Sequence, residues 1–105
     1  MRERVLEVGM EHATTALAIR AALERELGAS RVEVVAHSAR HPGHTGTAGG
    51  GNFEVVVVSE RFAGLSRLAA QRLVFEALGE LMRTSIHALS MTTLTSEQWR
   101  ARGGD

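Results

Sequence analysis

The chain has 105 residues, 44% of them hydrophobic and 23% charged, and its formal net charge at pH 7 is zero. This length predicts one small domain with a single hydrophobic core. All twelve basic residues are arginine and there is no cysteine, which excludes disulfides, thiolate ligands, Schiff bases and the lysine of a Walker-type phosphate loop. Because no apolar run approaches the ~20 residues of a membrane helix and the N-terminus lacks a signal peptide's apolar core, we expect a cytoplasmic protein without a membrane partner.

The first third of the chain predicts an extension, a helix and a strand. Residues 1–13 show poor hydrophobic periodicity and contain Gly9, so we expect a frayed or weakly helical extension. A helix is expected over residues 14–27 and should end at Gly28. The strand that follows runs from Arg31 to His37, with alternate residues on opposite faces. The apolar stripe of the helix consists of Ala16, Ile19, Leu23 and Leu27.

Residues 39–51 have the composition of a long loop between two strands, with the only proline and five of the eleven glycines. Such long connections are uncommon in compact domains and are often functional. The loop carries His41 and His44, which follow His37 at short spacing. On the residues alone, a polar connection is favoured over a metal site. The metal alternative is a tetrahedral zinc site made by these imidazoles together with His87.

The middle of the chain predicts a strand, a helix and a second strand. Four consecutive valines mark a strand over residues 53–59, because β-branched side chains fit a pleated surface. After a turn, a helix should run from Ser66, its N-cap, to Met82, and a last strand from Ile86 to Thr93. This order is a βαβ unit, so the two strands should be parallel with a right-handed crossover. The buried stripe of the helix is predicted to be Ala70, Leu73, Val74, Ala77, Leu78 and Leu81, and Arg72 could pair with Glu76 on its exposed face.

The C-terminal end predicts one short helical turn and a tail. Thr95 and Gln98 have the spacing of a capping box, and Trp99 should pack back on the domain. The element order α-β-β-α-β therefore predicts an α+β fold, a two-layer domain with a three-stranded mixed sheet. The expected domain covers residues 14–99, between the N-terminal extension and a tail of residues 100–105.

Several motifs taken together resemble the BolA family. The segment 53–64 closely resembles that family's second strand and following turn. Residues 72–75 and Ile86-His87-Ala88-Leu89 are similar to its helix and final strand, and the closing Thr…Trp pattern ends at Trp99. The resemblance covers roughly residues 15–99 and implies a class II KH-like fold, with a short helical turn before the long helix.

The resemblance implies a non-enzymatic protein that pairs with a monothiol glutaredoxin and shares a [2Fe-2S] cluster with it, in iron homeostasis or cluster trafficking. In that family the final strand supplies one histidine ligand and the loop supplies another. His87 matches the first position, His41 falls close to the second, and His44 stands beside it. Because the chain has no cysteine, its ligands would be imidazole nitrogens, with carboxylate oxygens as the less favoured alternative. No cluster is expected in the isolated chain, which should be a monomer or a weak homodimer, and on sequence alone a packed strand histidine is the simpler interpretation of His87.

The family resemblance also implies an alternative function, a DNA-binding transcriptional regulator with a helix-turn-helix-like face. Arg61, Arg67 and Arg72 are the candidate nucleic-acid contacts. Net neutrality favours ordinary solvated charges at these positions. The family's Arg-His-Arg triplet is Ala-Gln-Arg here, ending at Arg72, and the KH Gly-x-x-Gly loop is absent from residues 64–67. No catalytic constellation argues for an enzyme.

Overall fold

A computed structural model describes the backbone of residues 2–37 and 51–104 and the side chains of residues 13–37 and 51–104. The order of the main elements confirms the predicted α-β-β-α-β arrangement and the α+β fold. The elements are α1 Arg2–Leu27, β1 Arg31–His37, β2 Gly51–Val58, a 3-10 turn Glu60–Phe62, α2 Arg67–Leu78, α3 Glu80–Thr84, β3 Ile86–Leu94 and α4 Ser96–Ala101.

The three strands form one mixed sheet with β2 in the centre. β1 pairs with β2 antiparallel and β3 pairs with β2 parallel, which confirms the predicted strand pairing. Alternate residues of β2 point to the same face of the sheet. On the inner face these are Phe53, Val55 and Val57, which are at most 2% exposed. The apolar stripes of α1 and α2 cover this face, because each helix is hydrophobic along one side only. Their buried members are Ile19, Ala22, Leu23, Leu27, Ala70, Val74 and Leu78.

The start of α1 differs from the prediction. Its helical backbone begins at Arg2 and passes through Gly9 without a break. A glycine costs a helix interior only about 1 kcal/mol relative to alanine. Its neighbours in residues 2–13 include arginine, glutamate, leucine and methionine, which are good helix formers. The end of the helix is as predicted, since Gly28 has a φ of 59° and stops it.

The predicted long helix is divided in two. Ser66 caps α2 as expected, with its Oγ accepting a hydrogen bond from the Ala69 amide at 3.1 Å. Gly79 has a φ of 51°, and this left-handed residue ends α2 before α3 begins. The predicted pairing of Arg72 with Glu76 is wrong, since the described residues show no ion pair between these two side chains.

Ser59 is a buried polar residue that joins three elements at the end of β2. Its side-chain oxygen donates to the Leu27 carbonyl at 2.7 Å and accepts from the Arg61 amide at 3.0 Å. Its own amide donates to the Leu94 carbonyl at 2.9 Å. The residue is only 1% exposed, so these bonds satisfy polar groups that would otherwise be costly to bury. They fix the end of α1 and the 3-10 turn against the sheet.

The helix α4 forms where the capping signal predicted it, and Trp99 packs back on the domain as expected. Thr95 and Gln98 form a complete capping box. The Arg31 guanidinium carbon lies 4.8 Å from the centroid of the Trp99 ring, in a cation–π contact. The residues predicted to form a tail also contact Trp99, since the Gly104 amide donates to the Trp99 carbonyl at 3.0 Å. A side chain at position 104 would collide with the indole ring.

A carboxylate holds the N-terminus of α4. Glu60 Oε2 accepts a hydrogen bond from the Ser96 amide at 2.9 Å. Hydrogen bonds from the Ser96 side chain and amide, together with the nearby Arg100 guanidinium, hold the pKa of Glu60 below its ordinary value of 4.5. A depressed carboxyl pKa stabilises the folded state at pH values above the ordinary value, and this contribution is lost as the pH falls below it.

We therefore expect acid to loosen α4 before it unfolds the domain. Trp99 is the only tryptophan, so its emission should shift toward that of an exposed indole as the pH falls below about 4.5. Glu60→Gln removes the titrating group and should remove this step while the far-ultraviolet circular dichroism is retained. An identical acid step in the variant would show that another group controls α4.

Candidate functional site

His87 occupies an irregular position at the start of β3. In the register, Gly51 pairs with Ile86 and Asn52 pairs with Ala88, so His87 is the extra residue of a β-bulge. The side chain before it, Ile86, is 5% exposed and belongs to the core, whereas His87 is exposed. Bulges redirect a side chain and are frequent beside functional sites. The bulge thus presents an imidazole to solvent from a strand whose backbone is held by the sheet.

The segment 38–50, called the histidine segment below, leaves and rejoins the sheet at the same end as His87. Its N-terminal neighbour His37 pairs with Asn52, and its C-terminal neighbour Gly51 pairs with Ile86. The Gly51 amide also donates to the Ser85 carbonyl at 3.2 Å. His41 and His44 belong to this segment and lie outside the described residues, so their place beside His87 stays a prediction.

His37 has an acidic partner on the face of the sheet away from the helices. Its Nε2 lies 3.1 Å from Glu54 Oε1, and both side chains are about half exposed. Within residues 13–37 and 51–104, no three histidine, aspartate or glutamate side chains come together as a metal-binding group. The zinc alternative needs His41 and His44, and it therefore depends on residues outside the described part.

The described residues fit a shared metal cluster better than a self-contained one. His87 offers an accessible nitrogen donor, and histidine can replace cysteine on an iron of a [2Fe-2S] centre. The chain has no thiolate to complete such a centre. An exposed single ligand suits a site that a partner protein completes, since the partner can approach it without moving the core.

The structure places the three arginines predicted to contact nucleic acid in different surroundings. Arg61 Nη1 donates to the Glu26 carbonyl at 3.3 Å, near the end of α1. Arg67 begins α2 and lines a pocket. Arg72 is exposed but does not line that pocket, and it lies about 140° from Arg67 around the helix axis. From the sequence, a basic patch near the start of the helix is the alternative to ordinary solvated charges, which net neutrality favours.

Sequence reasoning missed the pocket that Arg67 lines. This cavity of about 350 Å³ lies between the N-terminal end of α2, the C-terminal end of β3 and α4. Arg102 lines it as well, from the position that caps α4. The capping box indicated that α4 forms, but nothing in the sequence brings together two arginines that are 35 positions apart. We call this cavity the arginine pocket.

Among the described residues, no helix is long and apolar enough to cross a membrane.

Comparison with known proteins gives consistent matches. The model of a family described as BolA-like protein matches residues 23–98. BolA-like protein 1 of Mus musculus is 44% identical over 83 residues, which are 79% of this chain and 59% of that protein. The DNA-binding transcriptional regulator BolA of Escherichia coli is 38% identical over 68 residues, which are 65% of this chain and 63% of that protein. The matched segments thus span less than two thirds of these curated relatives. The solution structure of BolA1 from Mus musculus has a TM-score of 0.71 at 39% identity, covering 85% of this chain and 71% of that chain.

Proposed function

Because this chain belongs to the BolA-like protein family, we propose that it pairs with a monothiol glutaredoxin and shares a [2Fe-2S] cluster with it, in iron homeostasis or cluster trafficking. The observation that carries the proposal is the exposed His87 in a β-bulge, beside both ends of the histidine segment. His87 would hold the cluster together with His41 or His44. The cluster supplies the iron that these imidazoles bind.

The bulge and the strand pairing give His87 a fixed place at the protein surface. Ile86 anchors the strand in the core immediately before it. The hydrogen bond from Gly51 to Ser85 ties the returning histidine segment to the chain two residues before His87. A second ligand from this segment would therefore start from a fixed point beside the first.

The absence of cysteine makes the partner necessary. A [2Fe-2S] cluster usually has four protein ligands, most of them thiolates. This chain can offer only imidazoles or carboxylates, and the described residues contain no group of three such ligands. A glutaredoxin and its thiol cofactor would supply the sulfur ligands. The chain would determine how many ligands of the two iron atoms are nitrogen.

DNA-binding transcriptional regulation is the second candidate function. It is favoured by the Escherichia coli relative, which is a DNA-binding transcriptional regulator by name. The zero net charge favours the glutaredoxin proposal, because sequence-independent affinity for DNA requires several phosphate contacts from basic side chains.

One reconstitution experiment tests the proposal and separates it from its rival. The full chain is mixed with a monothiol glutaredoxin, glutathione, iron and sulfide without oxygen. We expect a stable heterodimer whose visible absorption and circular dichroism differ from those of the glutaredoxin homodimer, because nitrogen has replaced sulfur on an iron. If no complex forms and the chain instead binds a DNA duplex selectively, with a steep salt dependence weakened by Arg67→Gln or Arg72→Gln, the regulator replaces the cluster partner.

A further inference from the structure

The arginine pocket has the properties of a binding site for a small anion. We infer that it binds a small organic phosphate, with Arg67 and Arg102 holding the phosphate group. This inference is independent of the cluster proposal. The pocket is lined by Met91, Thr92, Thr93 and Leu94 at the far end of β3. His87 lies six residues earlier than Thr93, which is about 20 Å along a strand.

Both guanidinium groups are free to bind a ligand. Within the described part of the chain, neither Arg67 nor Arg102 makes a side-chain hydrogen bond or an ion pair. No aspartate or glutamate lines the pocket. Two arginines therefore line one cavity that has no acidic residue in its lining, although the chain as a whole is neutral. An anionic ligand would supply the missing charge.

The fold fixes the backbone position of Arg102. This residue follows α4, and its amide donates to the Gln98 and Trp99 carbonyls, each at 3.2 Å. α4 is itself held by its capping box, by Glu60 at its N-terminus and by the contact between Trp99 and Arg31. Arg67 is placed on the opposite wall by the Ser66 cap of α2. The two walls come from hydrogen-bonded elements, so the backbone positions of the two arginines are fixed before a ligand binds.

The walls of the pocket are mostly polar with a smaller apolar part, which fits a phosphate that carries a polar organic group. A phosphate monoester carries a charge of about −1.5 to −2 at pH 7, which two guanidinium forks can match through paired hydrogen bonds. Phe62, Ala70 and Met91 add apolar surface, and Gln71 and Thr93 add neutral hydrogen-bonding groups. The volume lies at the small end of the range of ligand pockets, about 300–1,000 Å³. A molecule of the size of a nucleoside monophosphate suits this combination, whereas a DNA backbone needs a charged track along the surface.

The test is a titration of the full chain, labelled with ¹⁵N, with AMP and separately with inorganic phosphate. We expect saturable shifts of the amide signals of Arg67, Thr93 and Gln98, with AMP binding more tightly than inorganic phosphate because the nucleoside adds contacts with the pocket walls. Arg67→Gln and Arg102→Gln should each weaken AMP binding by about tenfold, the loss of one charge-assisted contact. The double variant should show no saturable binding. Both arginines are exposed, so the unfolding temperatures should match that of the parent.

Two variants serve as matched controls. Arg83 is exposed, lies outside the pocket and is bonded to Glu80 at 2.6 Å, so Arg83→Gln should leave the affinity within about twofold. His87→Ala should also leave it unchanged, whether or not the cluster proposal holds. The inference is overturned if no saturable shifts occur, if AMP and inorganic phosphate bind equally, or if Arg83→Gln weakens binding as much as Arg67→Gln. It is also overturned if only a DNA duplex binds with this arginine dependence.

Discussion

Replacing His87 by alanine should abolish the mixed-ligand spectrum of the complex with a monothiol glutaredoxin and leave the fold intact. The imidazole is exposed and stands in a β-bulge, so it contributes nothing to the buried core. Exposed substitutions away from such packing change stability by about 0.5 kcal/mol or less. The loss of a ligand, in contrast, removes a metal–nitrogen bond that no other described side chain of this strand can supply. Visible circular dichroism of the complex measures the first effect, and thermal unfolding of the isolated chain measures the second.

His37 offers a matched control for this experiment. It is also an exposed histidine at the same end of the sheet, but its Nε2 is bonded to Glu54. His37→Ala should therefore leave the cluster spectrum unchanged. His87→Cys should restore a cluster with altered spectrum, because a thiolate can take the place of the imidazole. A cluster of unchanged spectrum and affinity in His87→Ala would return His87 to the simpler interpretation, a strand histidine without a ligand role.

The parts of the fold that could be predicted from the sequence are those that depend on neighbouring residues. The valines of β2 have a strong preference for a strand. The apolar spacing of α2 predicts which side of this helix is buried, without knowledge of the elements it packs against. The Ser66 and Thr95 caps each depend on the residue three positions later, and the structure contains both. Local preferences and tertiary packing agree at these positions, so the prediction succeeds.

The features that could not be predicted depend on contacts between distant segments. The bulge at His87 arises from the register of β3 against β2, which single-strand patterns do not define. The arginine pocket exists because α4 returns to the sheet beside the start of α2. Gly79 and Gly9 show a further limit of prediction from the sequence. Both are glycines inside a helical pattern, yet only Gly79 adopts the left-handed conformation that ends a helix.

The two proposals concern opposite ends of β3. The first end presents His87 near the residues that flank the histidine segment, and the last end lines the arginine pocket. The buried middle of the sheet separates the two, because Val55 and its neighbours are packed under the helices. Variants at one end should consequently leave the other end unchanged, which makes each proposal testable without the other.

The second large effect is expected from the histidine segment. His41→Ala should weaken the shared cluster more than His44→Ala, because His41 falls closer to the loop ligand implied by the family resemblance. The two imidazoles stand near each other in the chain and can partly replace one another, so the double variant should lose the most. The transfer of iron from the complex to a chelator measures this order. Thr45→Ala is the matched control within the same segment and should behave as the parent.

The same ligands set the expected dependence on pH. An imidazole binds iron only when the ligating nitrogen is unprotonated. Cluster binding should therefore weaken as the solution becomes more acidic. In the double variant, His87 alone should remain, so the remaining binding should be weaker. If the double variant keeps the spectrum and affinity of the parent complex, the histidine segment supplies no ligand and the second nitrogen must come from elsewhere.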